Sequence, residues 1–253
     1  MPSHSATFAD LRDASVFITG GGSGIGAALT EGFLRQGAKV AFIGRSDYSD
    51  FCDKMEQKTG VRPLFVKGDV TDTARLRAAI DEAEAAHGPL DVLVNNAAND
   101  QRTDPMEVSV EDWDSMMAIN FRHYFFACQR AAESMKGRGG SIVNFSSIAH
   151  VMGVDELNVY GPANAGIEGM TRTLSRNWGK DGIRVNSLLP GMVLTEAQLE
   201  KWISEEDRKK HLEGQALKRS LYPEDIVGPV LFLASDASGA ITGQGLIVDG
   251  GYV

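Results

Sequence analysis

Cysteine is nearly absent from this chain. Cys52 and Cys128 are the only two and sit in no metal-ligand or redox spacing, which excludes a disulfide framework and a zinc site and leaves two reduced structural thiols. Basic charge is also scarce: 25 Lys and Arg against 34 Asp and Glu give a formal net charge of −9. A surface of that sign argues against nucleic acid and anionic membranes as partners. No apolar run approaches the ~20 residues that cross a bilayer, and residues 1–7 lack the basic-then-apolar pattern of a secretory leader. The expectation is a cytoplasmic protein with no membrane or nucleic-acid partner and no bound metal.

Glycine is plentiful, 28 of 253 residues, and it concentrates in Gly20-Gly21-Gly22-Ser23-Gly24-Ile25-Gly26. The apolar run 16–18 just before it reads as a strand buried on both faces, as in a parallel sheet covered by helices. A helical pattern follows over 27–36, with Ala28, Leu29, Phe33 and Leu34 as its apolar stripe and Gly37 as its stop. Between strand and helix, Gly20, Gly24 and Gly26 permit a sharp turn and remove the Cβ atoms that would hold a pyrophosphate away from backbone N–H groups. A turn of this kind serves tight packing as well as anion binding, and the stretch alone leaves both open.

Further strands are expected over 40–43, 64–66, 90–94, 141–145 and 183–189, with a last one ending at Asp249. Helices are expected over 74–87, 109–135, from Tyr160 onward and over 223–234. The alternation predicts an α/β protein with a doubly wound parallel sheet of about seven strands, in one domain over 1–253. Candidate binding residues fall at the carboxyl ends of its strands, where open sheets of this type take ligands. Arg45 and Ser46 follow the second strand, where a guanidinium can hold the extra phosphate of NADP and a carboxylate would read the free 2′-OH of NAD. Asp69 and Val70 follow the third, and Asp69 could equally cap the helix that opens at Thr71 or Asp72. Asn95 and Asn96 follow the fourth, where their amides can bond backbone across neighbouring strands. Asn120 interrupts the apolar surface of a helix. Ser147 follows the fifth strand, and Tyr160 and Asn164 share one face of the next helix.

The Thr-Gly-x-x-x-Gly-x-Gly spacing, Asp69, the double Asn, Asn120, and a Ser147 thirteen residues before Tyr160 together resemble the short-chain dehydrogenases/reductases over essentially the whole chain. The resemblance implies a Rossmann-type sheet and an NAD(P)-dependent oxidoreductase. It assigns Gly20, Gly22, Ser23, Gly24, Ile25, Gly26, Asp69, Val70, Asn96, Pro190, Val193 and Thr195 to the cofactor, together with Tyr160 and the residue at 164. Asn120, Ser147, Tyr160 and Asn164 fall at the catalytic positions, Tyr160 as the base, and Asn120 is expected to kink its helix. The family carries a Lys four residues after the Tyr, and this chain has Asn164 there. An amide can bond a ribose hydroxyl but has no charge to lower a phenol pKa, so the expectation is a slow or alkaline-shifted enzyme. Arg45 favours NADP, with NAD as the alternative.

A narrower likeness runs through 95–102, 120–123, 165–172, 215–218 and Pro223-Glu224, which resemble bacterial aldose 1-dehydrogenases. It implies oxidation of a sugar's anomeric carbon to a lactone, with Asn99, His150 and Asn158 joining Ser147 and Tyr160 around the substrate. The polar stretch 195–217, its apolar face carrying Leu199, Trp202, Ile203 and Leu212, is expected to form a lid over the substrate or, equally from its pattern, a surface helical hairpin. A homotetramer is implied too, with Met116, Phe121 and Phe125 available for its interface. The competing class is a nucleotide-binding sensor or scaffold that has given up catalysis, or else a dehydrogenase of another polar secondary alcohol.

Overall fold

Seven strands line up side by side, all parallel, in the order β3-β2-β1-β4-β5-β6-β7: β1 Ser15–Thr19, β2 Lys39–Gly44, β3 Leu64–Lys67, β4 Val92–Asn95, β5 Gly140–Phe145, β6 Ile183–Pro190 and β7 Gly245–Val248. The computed structural model describes residues 6–201 and 203–253. Residues 1–5, on which the leader reading partly rests, and Trp202, expected on the lid face, lie outside the described residues.

The strands are apolar on both sides because both faces of the sheet are covered. Val16 and Ile18 pack into one core layer and Phe17 into the other. Val40 and Phe42 likewise face opposite to Ala41 and Ile43. Each large side chain so buried contributes about 1.5–3 kcal/mol relative to exposure. The first layer is completed by α1 Gly24–Arg35, α2 Ser49–Thr59 and, from much later in the chain, Pro223–Ala234. The second is completed by α3 Thr73–His87, by His123–Met135 and by Tyr160–Trp178. The chain moves outward from β1 through β2 to β3, then restarts on the other side at β4. That reversal opens a crevice at the carboxyl ends of β1 and β4.

Several expected boundaries shift for local reasons. The first helix begins at Gly24 rather than at 27, so the glycine turn runs straight into its first turn. Helix α2 was not anticipated: it is charged along most of its length and buries only Cys52 and Met55. Strand β4 starts at Val92 rather than at 90, and just before it Asp91 bonds Ser15 through both its backbone N–H and its carboxylate. The expected single helix over 109–135 is three pieces: α4 Val110–Met117, a π-helical stretch Ala118–Arg122, and α5 His123–Met135. The stretch 150–158, expected to be irregular, opens with one helical turn, α6 Ala149–Met152, ahead of α7 Tyr160–Trp178. The polar stretch after β6 forms α8 Glu196–Lys201 and α9 Glu205–Gly214, the latter started by a Ser204–Asp207 capping box, before α10 Pro223–Ala234.

Candidate active site

The glycine turn links β1 to α1. Gly20 and Gly24 have φ of +72° and +51°, conformations that side chains rarely adopt. Gly26 serves a different end. A Cβ there would lie 2.0 Å from the carbonyl oxygen of Gly20 and 2.8 Å from the Asn96 amide nitrogen, so this glycine permits helix and strand to touch rather than making room for an anion. Gly22 and Gly44 are both covered by the ring of Tyr48, which a Cβ would meet at 2.4 and 2.6 Å. Tyr48 thus walls the turn, a part the sequence reading did not assign. At the front of α1, the Ser23 side chain makes no capping bond. The first-turn N–H groups therefore keep their capacity to hold an anion.

Beyond β2, Arg45 is exposed, with its guanidinium 4.0 Å from the Asp69 carboxylate. Asp69 accepts both the backbone N–H and the hydroxyl of Thr71, at 2.9 and 2.8 Å. Burial pushes its carboxyl pKa up, but Thr71 and Arg45 outweigh burial and hold it below the usual value. The cap of α3 is Asp72, which accepts the Arg75 N–H, so the capping role does not fall to Asp69. Asn96 bonds backbone across to β1, at Thr19 (3.2 Å) and Gly20 (3.3 Å). Asn95 turns instead into the core, donating to the Asn144 side chain at 2.9 Å. Cys128 lies beside that pair, and burial pushes its thiol up to about 12, which leaves it inert at neutral pH.

The candidate reacting groups come from three places: α7, the end of β5 and the π-helical stretch. Tyr160 opens α7, and Asn164 stands one turn later, 3% exposed. The Asn164 side-chain amide donates to the Tyr160 backbone carbonyl at 2.8 Å, and the Asn164 backbone carbonyl accepts the Ser146 hydroxyl at 3.1 Å. Ser147 lies just past β5, its hydroxyl accepting the Ala149 N–H at 3.1 Å. Burial raises the Tyr160 phenol to about 12, and the Asp100 carboxylate pushes the same way. Hydrogen bonds from Ser147 and Asn164 oppose them without prevailing. Asn120 sits within the π-helical stretch, where its side chain accepts the Asn99 N–H at 2.8 Å and donates to the Asn99 carbonyl at 2.9 Å. The expected interruption of the helix at Asn120 is therefore a widened turn, which feeds the amide into the loop after β4.

Tyr160, Ser147, Asn120 and Asn164 line one cleft of about 350 Å³, together with Ile25, Asn96, Pro190, Val193 and Thr195. The other expected cofactor residues, Gly20, Gly22, Ser23, Gly24, Gly26, Arg45, Ser46, Asp69 and Val70, lie outside its lining, along the glycine turn and the ends of β2 and β3. Of the residues expected around a substrate, Asn99, His150 and Asn158 do not line it. Asn99 is held through its backbone by Asn120, His150 places Nδ1 2.6 Å from the Ser147 carbonyl, and Asn158 donates to the Thr103 carbonyl at 2.6 Å. Asp100, Gln198 and His211 take their place in the cleft. Asp100 was within sight as the residue after the Asn95–Asn99 run. Gln198 and His211 lay in a polar helical stretch with nothing in its pattern to show which residues face inward. Leu199, expected on the inner face of the lid, is 50% exposed, since the single turn that directs Gln198 into the cleft directs Leu199 out.

The groups present suit a dinucleotide. An uncapped helix start and a glycine turn lie at one end of the crevice, and a cleft lined by a phenol, a hydroxyl and several side-chain amides lies at the other. A family model described as enoyl-(acyl carrier protein) reductase, one of the short-chain alcohol dehydrogenase type, matches residues 20–253. Among curated proteins, the chain is 50% identical over 250 residues to the "Probable galactose dehydrogenase GalD" of Rhizobium meliloti (strain 1021), covering 98% of each chain. It is 41% identical over 250 residues to a D-xylose 1-dehydrogenase of Caulobacter vibrioides, covering 98% of this chain and 99% of that one. Among solved structures, a short-chain dehydrogenase/reductase from Serratia marcescens superposes with a TM-score of 0.88 at 33% identity, over 96% of this chain and 99% of that one. With the fold, the glycine turn and the Ser–Tyr pair in place, the chain belongs to the short-chain dehydrogenase/reductase family and is an NAD(P)-dependent oxidoreductase.

Proposed function

We propose that the protein oxidises the anomeric C1 hydroxyl of an aldose to the lactone, with NADP favoured over NAD, Tyr160 as the base, and activity held down at neutral pH by Asn164. The observation that carries the reading is the convergence of Tyr160, Ser147 and Asn120 on one cleft bordered by Asn96, Pro190 and Thr195. The sugar is supported by the printed activities of the relatives, galactose and xylose oxidation. NADP is supported by Arg45, an exposed guanidinium past β2 with no acidic residue in its place.

When bound, the nicotinamide supplies the hydride acceptor for C1. Ser147 holds the substrate oxygen by a hydrogen bond, and the Tyr160 phenolate takes the hydroxyl proton as the C–H bond of C1 breaks. Asn120 fixes the loop after β4 that forms one wall of the cleft. The difficulty is the state of the phenol. With a pKa near 12, only roughly one molecule in 100,000 carries phenolate at pH 7. A cation at 164 would oppose the burial of charge, whereas Asn164 spends a donor on the Tyr160 carbonyl. If such a cation is worth about 2 pKa units, its absence costs on the order of a hundredfold in rate near neutrality.

Asn164 also favours a second reading, a nucleotide-binding sensor or scaffold without turnover. One panel separates the two: the protein and its Asn164→Lys variant, each with NAD or NADP and D-galactose, D-xylose and related aldoses, at neutral and alkaline pH. Turnover that is slow in the parent chain and large in the variant supports the enzyme. Nucleotide binding with no turnover in either favours the sensor. The reading extends to residues 195–217 as a lid and to a cytoplasmic homotetramer built on α4 and α5. Met116 is buried within the protomer, so that face rests on Phe125, 39% exposed, Trp113, 42% exposed, and the half-buried Phe121. Sedimentation of the purified chain tests the assembly.

A further inference from the structure

Helix α8 crosses the mouth of the cleft with a fixing point at each side. At one, the Thr195 hydroxyl accepts the Gln198 N–H at 3.2 Å while the Thr195 side chain rests against Gly24 of the glycine turn, at 3.4 Å from the position of a Cβ. At the other, the Gln198 side chain reaches across and donates to Oδ2 of Asp100, 2.6 Å away, on the loop after β4. Both partners line the cleft that holds the reacting phenol. The other carboxylate oxygen of Asp100, Oδ1, has no hydrogen bond among the described residues. A half-buried carboxylate with one oxygen spoken for and one open is a strong acceptor for a hydroxyl. We propose that Asp100 is a specificity-determining residue with two duties: through Gln198 it holds α8 across the cleft, and through Oδ1 it accepts a ring hydroxyl of the sugar. The assignment rests on the sugar reading above.

The charge of Asp100 also reaches the phenol. Bearing directly on Tyr160 are Asp100 from the β4 loop, Tyr124 from α5, Ser147 from the end of β5 and Asn164 from its own helix, while Arg102 and His211 line the same cleft. Asp100 is the one carboxylate among them. Its negative charge opposes phenolate formation, so the group that reads the sugar also contributes to the alkaline shift. A hydroxyl donated to Asp100 disperses part of that charge, which ties recognition of the right substrate to readiness of the base.

Two variants separate the duties. Asp100→Asn keeps an acceptor for the Gln198 amide but removes the charge, and Gln198→Leu removes the bond to α8 but keeps the carboxylate. Both are made in the Asn164→Lys background, where turnover is easiest to measure. Asp100→Asn is expected to raise KM for the preferred aldose roughly ten- to a hundredfold, the effect of losing a charged hydrogen bond to a hydroxyl. It should also move the rate profile to lower pH and leave nucleotide Kd within about twofold. Gln198→Leu is expected to leave the position of the pH profile in place and to speed tryptic cleavage in α9, at Arg208, Lys209 and Lys210. An Asp100→Asn variant with unchanged KM and unchanged pH profile, on an aldose that the parent turns over, overturns the role of Asp100 and leaves the sugar reading standing. Unaltered cleavage in Gln198→Leu overturns the bracing of α8. If no aldose is oxidised even with Asn164→Lys, the sugar reading fails and this assignment with it.

Discussion

Tyr160 and Asn164 are adjacent on one face of α7, and the proposed chemistry turns on what one does to the other. An amide at 164 satisfies the local backbone and offers a hydrogen bond, but it brings no charge to a phenol that burial has driven to about 12. A second residue shows the same principle with the sign reversed. His123 is 1% exposed, and neither ring nitrogen finds a hydrogen-bond partner. Burial lowers its pKa to about 3 from the usual 6.5, against the pull of the Ala118 and Ile119 carbonyls and of Asp69. Below pH 6.5 the unfolded chain therefore binds a proton that the native state refuses until about pH 3. Stability is intact above pH 6.5 and falls as pH drops through that window, by up to about 1.4 kcal/mol per unit from this group. Urea titrations at pH 7 and pH 5 should show the loss, and His123→Phe should flatten it. A variant with the same slope would place the acid sensitivity elsewhere.

At the level of elements, the glycine turn and the π-helical stretch place the site. Gly26 lets α1 press against β1, so Gly26→Ala must push the Gly20 carbonyl and the Asn96 amide apart. A loss of about 1–3 kcal/mol in chemical denaturation is expected, with nucleotide affinity weakened as well. Unchanged stability would mean that the turn tolerates a Cβ its geometry excludes. These elements were legible in the sequence to different degrees. The strands could be read because buried apolar runs have one dominant physical cause, whereas the part played by the glycine turn and the Ser147–Tyr160–Asn164 grouping came from the family likeness. Helix α2 could not, since a charged helix burying little more than Cys52 and Met55 has too weak a pattern. The break at Asn120 was expected from a family likeness, whereas its form as a π turn depends on the partner it meets, the backbone of Asn99. The inward residues of α8 and α9 were hidden for the same reason: Gln198 acquires its meaning from Asp100, nearly a hundred positions earlier.

At the level of the whole molecule, no single element holds the site. The turn after β1, Asn96 after β4, Ser147 after β5 and Pro190 at the end of β6 meet because the strand order reverses between β1 and β4. An unfolded chain has no such crevice, so nucleotide binds the native state alone and must stabilise it. At a hundred times Kd the gain is about 2.7 kcal/mol, which for a chain of this size is a rise in Tm of about 5–10 °C. Thermal unfolding with and without NADP checks this, and an unmoved Tm at saturating nucleotide would mean that no binding site has formed. The most direct test of the central claim, that a phenol starved of a neighbouring cation limits an otherwise complete dehydrogenase, is the pH–rate profile of aldose oxidation by the parent chain, Asn164→Lys and Tyr160→Phe. The parent should climb steadily into the alkaline range. Asn164→Lys should reach its plateau about 2 units lower and run on the order of a hundredfold faster at pH 7, and Tyr160→Phe should be silent throughout. Equal profiles for parent and Asn164→Lys, or turnover that survives Tyr160→Phe, would contradict it.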